Sequence, residues 1–163
     1  MTARRPGGAA PYSFAYAYTK EEAAVSRADN DRLYQRMLLD LWHAADRDLG
    51  ALAAQIAADD LTIHQNGAQQ HGAQALADLV RQGRAPFTGV EVVIETGPLV
   101  DGDHVAARWS FSGRYAGGIP GATAPEGTAV RFTGIDLIRV AGGRVQEYWV
   151  CSDGAALMQQ LGA

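Results

Sequence analysis

TAVRFTGIDLIRVAGGRVQEYWVCS, residues 128–152, decides the fold. Two runs rich in β-branched and aromatic residues meet at Ala141-Gly142-Gly143-Arg144, which predicts an antiparallel hairpin. Alternation along the first run puts Phe132, Gly134, Asp136, Ile138 and Val140 on one face. Arg131, Thr133, Ile135, Leu137 and Arg139 take the other. Asp136 therefore stands on a face that is otherwise apolar or glycine. A carboxylate there has to be hydrogen-bonded, paired or put to chemical use, because an uncompensated buried charge is costly.

Two more strands are predicted ahead of the hairpin, over 90–97 and 103–115, with Asp101-Gly102 as the turn between them. Val105, Ala107, Trp109, Phe111, Gly113 and Tyr115 share one face of the second. Gly117 to Gly127, rich in glycine and proline, is a long loop of the kind that borders a site, and Tyr115 lies beside it. Earlier still, Asp29 or Asn30 is placed to cap a helix from about Asp31, whose stripe is Leu33, Tyr34, Met37, Leu38, Leu41, Trp42 and Ala45. Asp46 or Asp48 caps a second helix with Leu49, Leu52, Ala53, Ile56 and Ala57. A short strand over Leu61–Asn66, a loop over 67–72 and a helix over 73–82 come next, and Asp153 caps a last helix over 155–160. Residues 30–163 form one domain. Residues 1–29 are an extension in which Tyr12, Phe14, Tyr16 and Tyr18 alternate with small residues and are expected to pack on the domain or on a partner; Glu21 to Arg27 suits a helical turn.

This order of helices and strands is α+β. A strongly twisted, mainly antiparallel sheet is wrapped around the N-terminal helices, leaving a cone-shaped cavity suited to a hydrophobic small molecule. Composition fits one soluble domain, with 47% hydrophobic and 20% charged residues. A net charge of −4, with no basic run beyond Arg4-Arg5, gives no footprint for nucleic acid or an anionic membrane. The single cysteine, Cys151, suits a reducing cytoplasm, and Pro6-Gly7-Gly8 after the arginines does not suit a secretion signal. Dinucleotide, Walker and nucleophile-elbow motifs are absent, so no cofactor is called for. His64 and His71 have no companion at ligand spacing, so no metal is expected.

Asp136 leads the candidate catalytic residues as an acid/base group tuned by its apolar surroundings. Tyr115 is a candidate donor to a developing enolate, since a phenol of pKa near ~10 is protonated at neutral pH. His64 is a candidate base, and Asn66, on the same strand face, a candidate oxyanion contact. Trp42, Tyr34, Trp109 and Trp149 are candidate substrate-stacking surfaces. A catalytic Asp136 is expected to be reachable from the cavity with a perturbed pKa, whereas an anchor is expected to be sealed with its oxygens occupied.

VDGDHVAARWSFSG, FTGIDLIRVAGGRVQEYW and the pattern from Ser152 to Gly162, together with the element order, resemble the SnoaL-like polyketide cyclase branch of the nuclear-transport-factor-2-like and ketosteroid-isomerase-like superfamily. The resemblance covers about residues 30–162. It implies that cone-shaped fold, a homodimer, and Asp136 as the pocket acid/base residue. Two positions depart from the pattern: Tyr115 stands where a histidine is expected, and IPGATAPEGT, residues 119–128, replaces the usual Pro-x-Thr-Gly-Arg loop. The implied activity is a cofactor-independent acid/base enzyme of secondary metabolism on a polyketide-derived or polycyclic carbonyl compound, a cyclase first. Isomerase, dehydratase, cofactor-free hydroxylase and non-catalytic small-molecule binder are the alternatives.

Overall fold

A computed structural model describes residues 27–163. The aromatic stretch around Tyr12 to Tyr18 and nearly all of the turn expected over Glu21–Arg27 lie outside them. A helical run opens the described chain as α1 (Arg27–Gln35), a wide π segment (Arg36–Asp40) and α2 (Leu41–His43). The helix is already formed at Arg27, ahead of the expected start, and Asn30 does not serve as its cap. Asn30 is buried and instead donates from Nδ2 to the Gly102 carbonyl at 3.1 Å, tying the helix to the turn between two strands. Most of the expected stripe is found: Leu33, Tyr34, Met37, Leu38 and Leu41 are buried and Trp42 is half-buried, whereas Ala45 lies past the helix end at His43 and is exposed. A π turn within a helix is a device common at functional sites.

Helix α3 (Leu49–Ile56) and strand β1 (Ala57–Gln65) come next, then β2 (Ala68–His71), where a loop was expected. Helix α4 (Gly72–Arg84) leads into β3 (Phe87–Asp101), β4 (His104–Tyr115), β5 (Ala129–Ala141), β6 (Arg144–Ser152) and α5 (Gly154–Gln160). The strands form one sheet in the order β2-β1-β6-β5-β4-β3. β3 to β6 are the predicted antiparallel meander, while β1 lies parallel to β6, so the sheet is mixed and wraps the helices in an α+β fold. The β5–β6 turn uses Gly142 and Gly143 at φ +57° and +73°, the pair of positive values a tight hairpin turn demands. Strand β3 is longer than expected because it carries on through Gly97-Pro98 by shifting register against β4.

Tyr34, Leu41, Leu49, Ile56, Leu61, Ile63, Leu76 and Ile138 are buried to 2% or less between helices and sheet. Each such aliphatic side chain contributes roughly 1.5–3 kcal/mol by leaving water. Asp153 caps α5 as expected, its carboxylate accepting from the Ala156 N–H at 2.9 Å. The long loop is pinned from two sides: Tyr115 Oη accepts from the Ile119 N–H at 3.2 Å, and the buried Leu161 accepts at its carbonyl from the Thr123 and Ala124 N–H groups, both at 2.9 Å. Among the described residues no helix is long and apolar enough to cross a membrane.

Candidate active site

A cavity of about 330 Å³ opens between the helices and the sheet, within the size range of small-molecule sites. Its walls are mainly apolar: Leu38 and Trp42 come from the helical run, Leu79 from α4, Phe87 and Val92 from β3, Trp109 and Phe111 from β4, Phe132 from β5, and Tyr148 and Val150 from β6. Ile119 of the long loop and Leu157 of α5 complete them. The polar lining is Gln65, Gln70, Gln82 and Ser152.

Glycine sets the aromatic walls. Trp109 lies directly over Gly134, its cross-strand partner, so closely that a Cβ on residue 134 would come within 2.2 Å of the indole. Trp42 lies against Gly83 in the same way, at 2.7 Å, with its edge toward Phe111 at a centroid distance of 5.9 Å. Phe111 in turn stacks on Phe132 at 4.8 Å.

Asp136 is wholly buried behind this wall. Its Oδ2 accepts from the Tyr34 hydroxyl at 3.1 Å and its Oδ1 from the Tyr148 hydroxyl at 3.2 Å. The Trp109 indole N–H adds stabilisation of the charge without completing a hydrogen bond of normal geometry. Burial dominates, raising the Asp136 pKa from 3.8 to about 7; Trp109, Tyr34 and Tyr148 each pull the other way by favouring the carboxylate. Burial, with the Asp136 charge beside them, pushes both tyrosine hydroxyls far above their ordinary pKa, so both stay protonated as donors. The carboxylate is thus sealed with both oxygens occupied and still titrates near neutrality. Trp109 and Tyr148 separate it from the cavity and belong to both environments.

Removing one donor should move this titration. Tyr148→Phe is expected to raise the Asp136 pKa further above about 7, since it deletes a hydrogen bond to the ionised form. A pH titration of the carboxyl carbon by NMR checks it; an unchanged or lower midpoint would show that the bond does not hold the charge.

Several candidates from the sequence lie elsewhere. Tyr115 is buried beside Phe87 and spends its hydroxyl on the loop, so it is not part of the cavity wall. His64 and Asn66 do not enter the cavity either: Leu61, Ile63 and Gln65 form the inward face of β1, and Asn66 is an exposed turn residue at φ +52°. His64 stacks on Trp149 across β1 and β6, rings parallel at 5.0 Å, on the other face of the sheet. Its Nε2 lies 3.6 Å from Glu147, whose carboxyl a hydrogen bond from Arg139 holds below its ordinary pKa. Trp149 faces outward because Val140 pairs with Val145 and Arg139 with Glu147, leaving Gln146 as an extra residue. That bulge flips the alternation, so Tyr148 and Val150 point inward and Trp149 does not.

Of the substrate-contact candidates, Trp42 and Trp109 line the cavity, and Tyr34 lies behind it on Asp136. Phe132, Tyr148 and the three glutamines are additions from the structure. Phe132 shares the Asp136 face and could have been found by parity alone. Among the described residues no group of three or more His, Cys, Asp or Glu side chains is arranged to hold a metal ion.

Residues 32–161 match the model of the SnoaL-like polyketide cyclase family. No curated protein sequence matches significantly. Among solved structures, a candidate SnoaL-like polyketide cyclase from Jannaschia sp. CCS1 is 23% identical, covering 83% of this chain and 93% of its own, with a TM-score of 0.71. AclR, a candidate hydroxylase from Streptomyces galilaeus, is 21% identical over 84% of this chain and 98% of its own, with a TM-score of 0.70. A candidate polyketide cyclase from Bacillus cereus is 26% identical over 82% of this chain and 80% of its own, with a TM-score of 0.65.

Proposed function

Because the chain belongs to the SnoaL-like polyketide cyclase family, we propose that it is a cofactor-independent acid/base enzyme of secondary metabolism, acting on a polyketide-derived or polycyclic carbonyl substrate, with ring closure as its reaction. The observation that carries this reading is a buried carboxylate of near-neutral pKa set one side chain behind an aromatic cavity. Asp136 in its ionised form receives the proton of a C–H bond next to a substrate carbonyl, leaving an enolate. The enolate carbon attacks a second carbonyl, a C–C bond forms, and the new alkoxide takes the proton back. Tyr148 lies between, lining the cavity and donating to Asp136, so the proton passes through its hydroxyl. The high pKa of Tyr148 makes a free phenolate costly, and the two transfers are therefore concerted. Reprotonation without ring closure gives an isomerase and loss of water a dehydratase; addition of dioxygen to the carbanion gives a hydroperoxide, which becomes the hydroxylase product only with two electrons from a separate reductant. The same residues serve the proton transfer in each.

A second reading, a binding protein without turnover, is favoured by one observation: both oxygens of Asp136 are engaged and no part of it is exposed. The two readings separate in an assay of polyketide intermediates by mass spectrometry, where conversion supports the enzyme and binding without any mass change or isomerisation supports the binder.

We also propose a homodimer through the outer face of the sheet. Leu99, Ala106, Leu137 and Trp149 stand in one register row across β3 to β6, and Leu99 and Ile135 are 63% and 56% exposed. Leu137→Glu should convert the dimer to monomer, with light scattering after size-exclusion as the check; a monomeric parent protein would refute the assembly.

A further inference from the structure

Every side chain lining the cavity is uncharged. Its deep part is aromatic, with Trp109 and Phe111 6% and 1% exposed, and its polar groups lie toward the mouth, where Gln65 is half-buried and Gln70 and Gln82 are exposed. Gln65 ends β1, Gln70 lies on β2 and Gln82 on α4, so three separate elements bring carboxamides to one cavity. Among the described residues none of the three has a side-chain hydrogen bond, whereas Gln69 bonds His64 and Gln74 bonds Asp78. Next to Gln82, Gly83 lets Trp42 lie against the α4 backbone, which puts an aromatic wall beside the amides.

A carboxamide offers two N–H donors and a carbonyl acceptor with no net charge. Three of them can satisfy the carbonyl and hydroxyl groups of a neutral molecule, but they cannot neutralise an ion. An anionic ligand would also meet the charge of Asp136 behind the wall. The arginines of the sheet are engaged elsewhere: Arg108 and Arg131 pair with Glu95 and Arg139 with Glu147, while Arg114 donates to the Gly127 carbonyl and Arg144 to those of Ala54 and Ala57.

We infer that Gln65, Gln70 and Gln82 are specificity-determining residues that select an uncharged, oxygen-bearing polycyclic ligand and hold an oxygenated edge of it at the mouth while its rings pack inward against Trp109. This rests on the reading of the cavity as the ligand site and adds the charge, polarity and orientation of what enters it.

The test uses quenching of the tryptophan fluorescence, two of whose sources, Trp42 and Trp109, line the cavity. Three probes share one ring skeleton: 9,10-anthraquinone, anthracene without oxygens, and anionic anthraquinone-2-sulfonate. Anthraquinone is expected to bind about tenfold more tightly than either of the others, the order of effect of one or two net hydrogen bonds. The Gln70→Leu/Gln82→Leu variant, which alters only exposed positions, should lose that preference over anthracene while anthracene binding persists. Gln82→Arg should raise sulfonate affinity about tenfold, on the order of one charge-assisted bond. Equal binding of anthraquinone and its sulfonate by the parent protein, or a preference that survives the double variant, overturns the inference while leaving the cavity as the ligand site. Quenching by none of the probes overturns the ligand site and, with it, the inference.

Discussion

Asp136→Asn is expected to cut turnover by about 10²- to 10⁴-fold, the usual contribution of a positioned acid/base group, while ligand binding persists. The substitution keeps the shape of the side chain and a carbonyl acceptor beside Tyr34 and Tyr148 but removes the titration. On the proposed mechanism, turnover by the parent protein should rise with pH through about 7, as Asp136 becomes the ionised base, and that limb should vanish in the variant. Mass spectrometry of a panel of polyketide intermediates measures both. A variant that converts substrate as fast as the parent would remove Asp136 from the chemistry.

The same residue ties stability to pH. Its pKa is raised on folding from 3.8 to about 7, so within that window the folded chain holds a proton that the unfolded chain releases. The stabilisation is fully present below 3.8 and is lost as pH rises through about 7, a difference of roughly 4 kcal/mol. Thermal unfolding at pH 5 and pH 8 should show the parent losing stability relative to Asp136→Asn across the interval.

Gly134→Ala is the second large effect. A methyl group there would stand 2.2 Å from the Trp109 ring, and the indole would have to leave its seat. Overpacking of this kind costs about 1–3 kcal/mol, read as a lower urea midpoint. The effect on the site is more specific. Trp109 is part of the seal over Asp136, and burial is the largest cause of the raised pKa. Displacing the ring should admit water and bring the carboxyl back toward its ordinary value, so the acid limb of activity would move to lower pH. If the variant folds with the midpoint of Asp136 unchanged, Trp109 is not the seal.

Most of the sheet could be worked out from residue types. The β5 alternation placed Asp136 among Phe132, Gly134, Ile138 and Val140, and that face is indeed the inner one. The early helical stripe was equally legible, because a spacing of three and four survives local distortion. What failed were features that depend on pairing. Parity alone names two faces of β1 and does not say which meets the core; the apolar pair Leu61 and Ile63 went inward and carried His64 out. The bulge at Gln146 exists only relative to β5, so Trp149 exchanged roles with Tyr148. Tyr34 meets Asp136 across 102 positions of sequence, a contact that no local pattern announces. Gln65, Gln70 and Gln82 looked like ordinary surface residues until three elements brought them to one opening.

The parallel pairing of β1 with β6 bears on biosynthesis. On the ribosome, Leu61 and Ile63 emerge early, yet the strand that belongs beside them arrives with Tyr148 and Trp149, after β3, β4 and β5 have been made. Non-local pairings of this sort form late and slowly. A nascent chain released short of β6 would hold helices α1 to α4 and leave β1 and β5 unpaired on the sides that β6 joins, with Asp136 lacking the Tyr148 donor. Closure of the sheet and completion of the site are the same event.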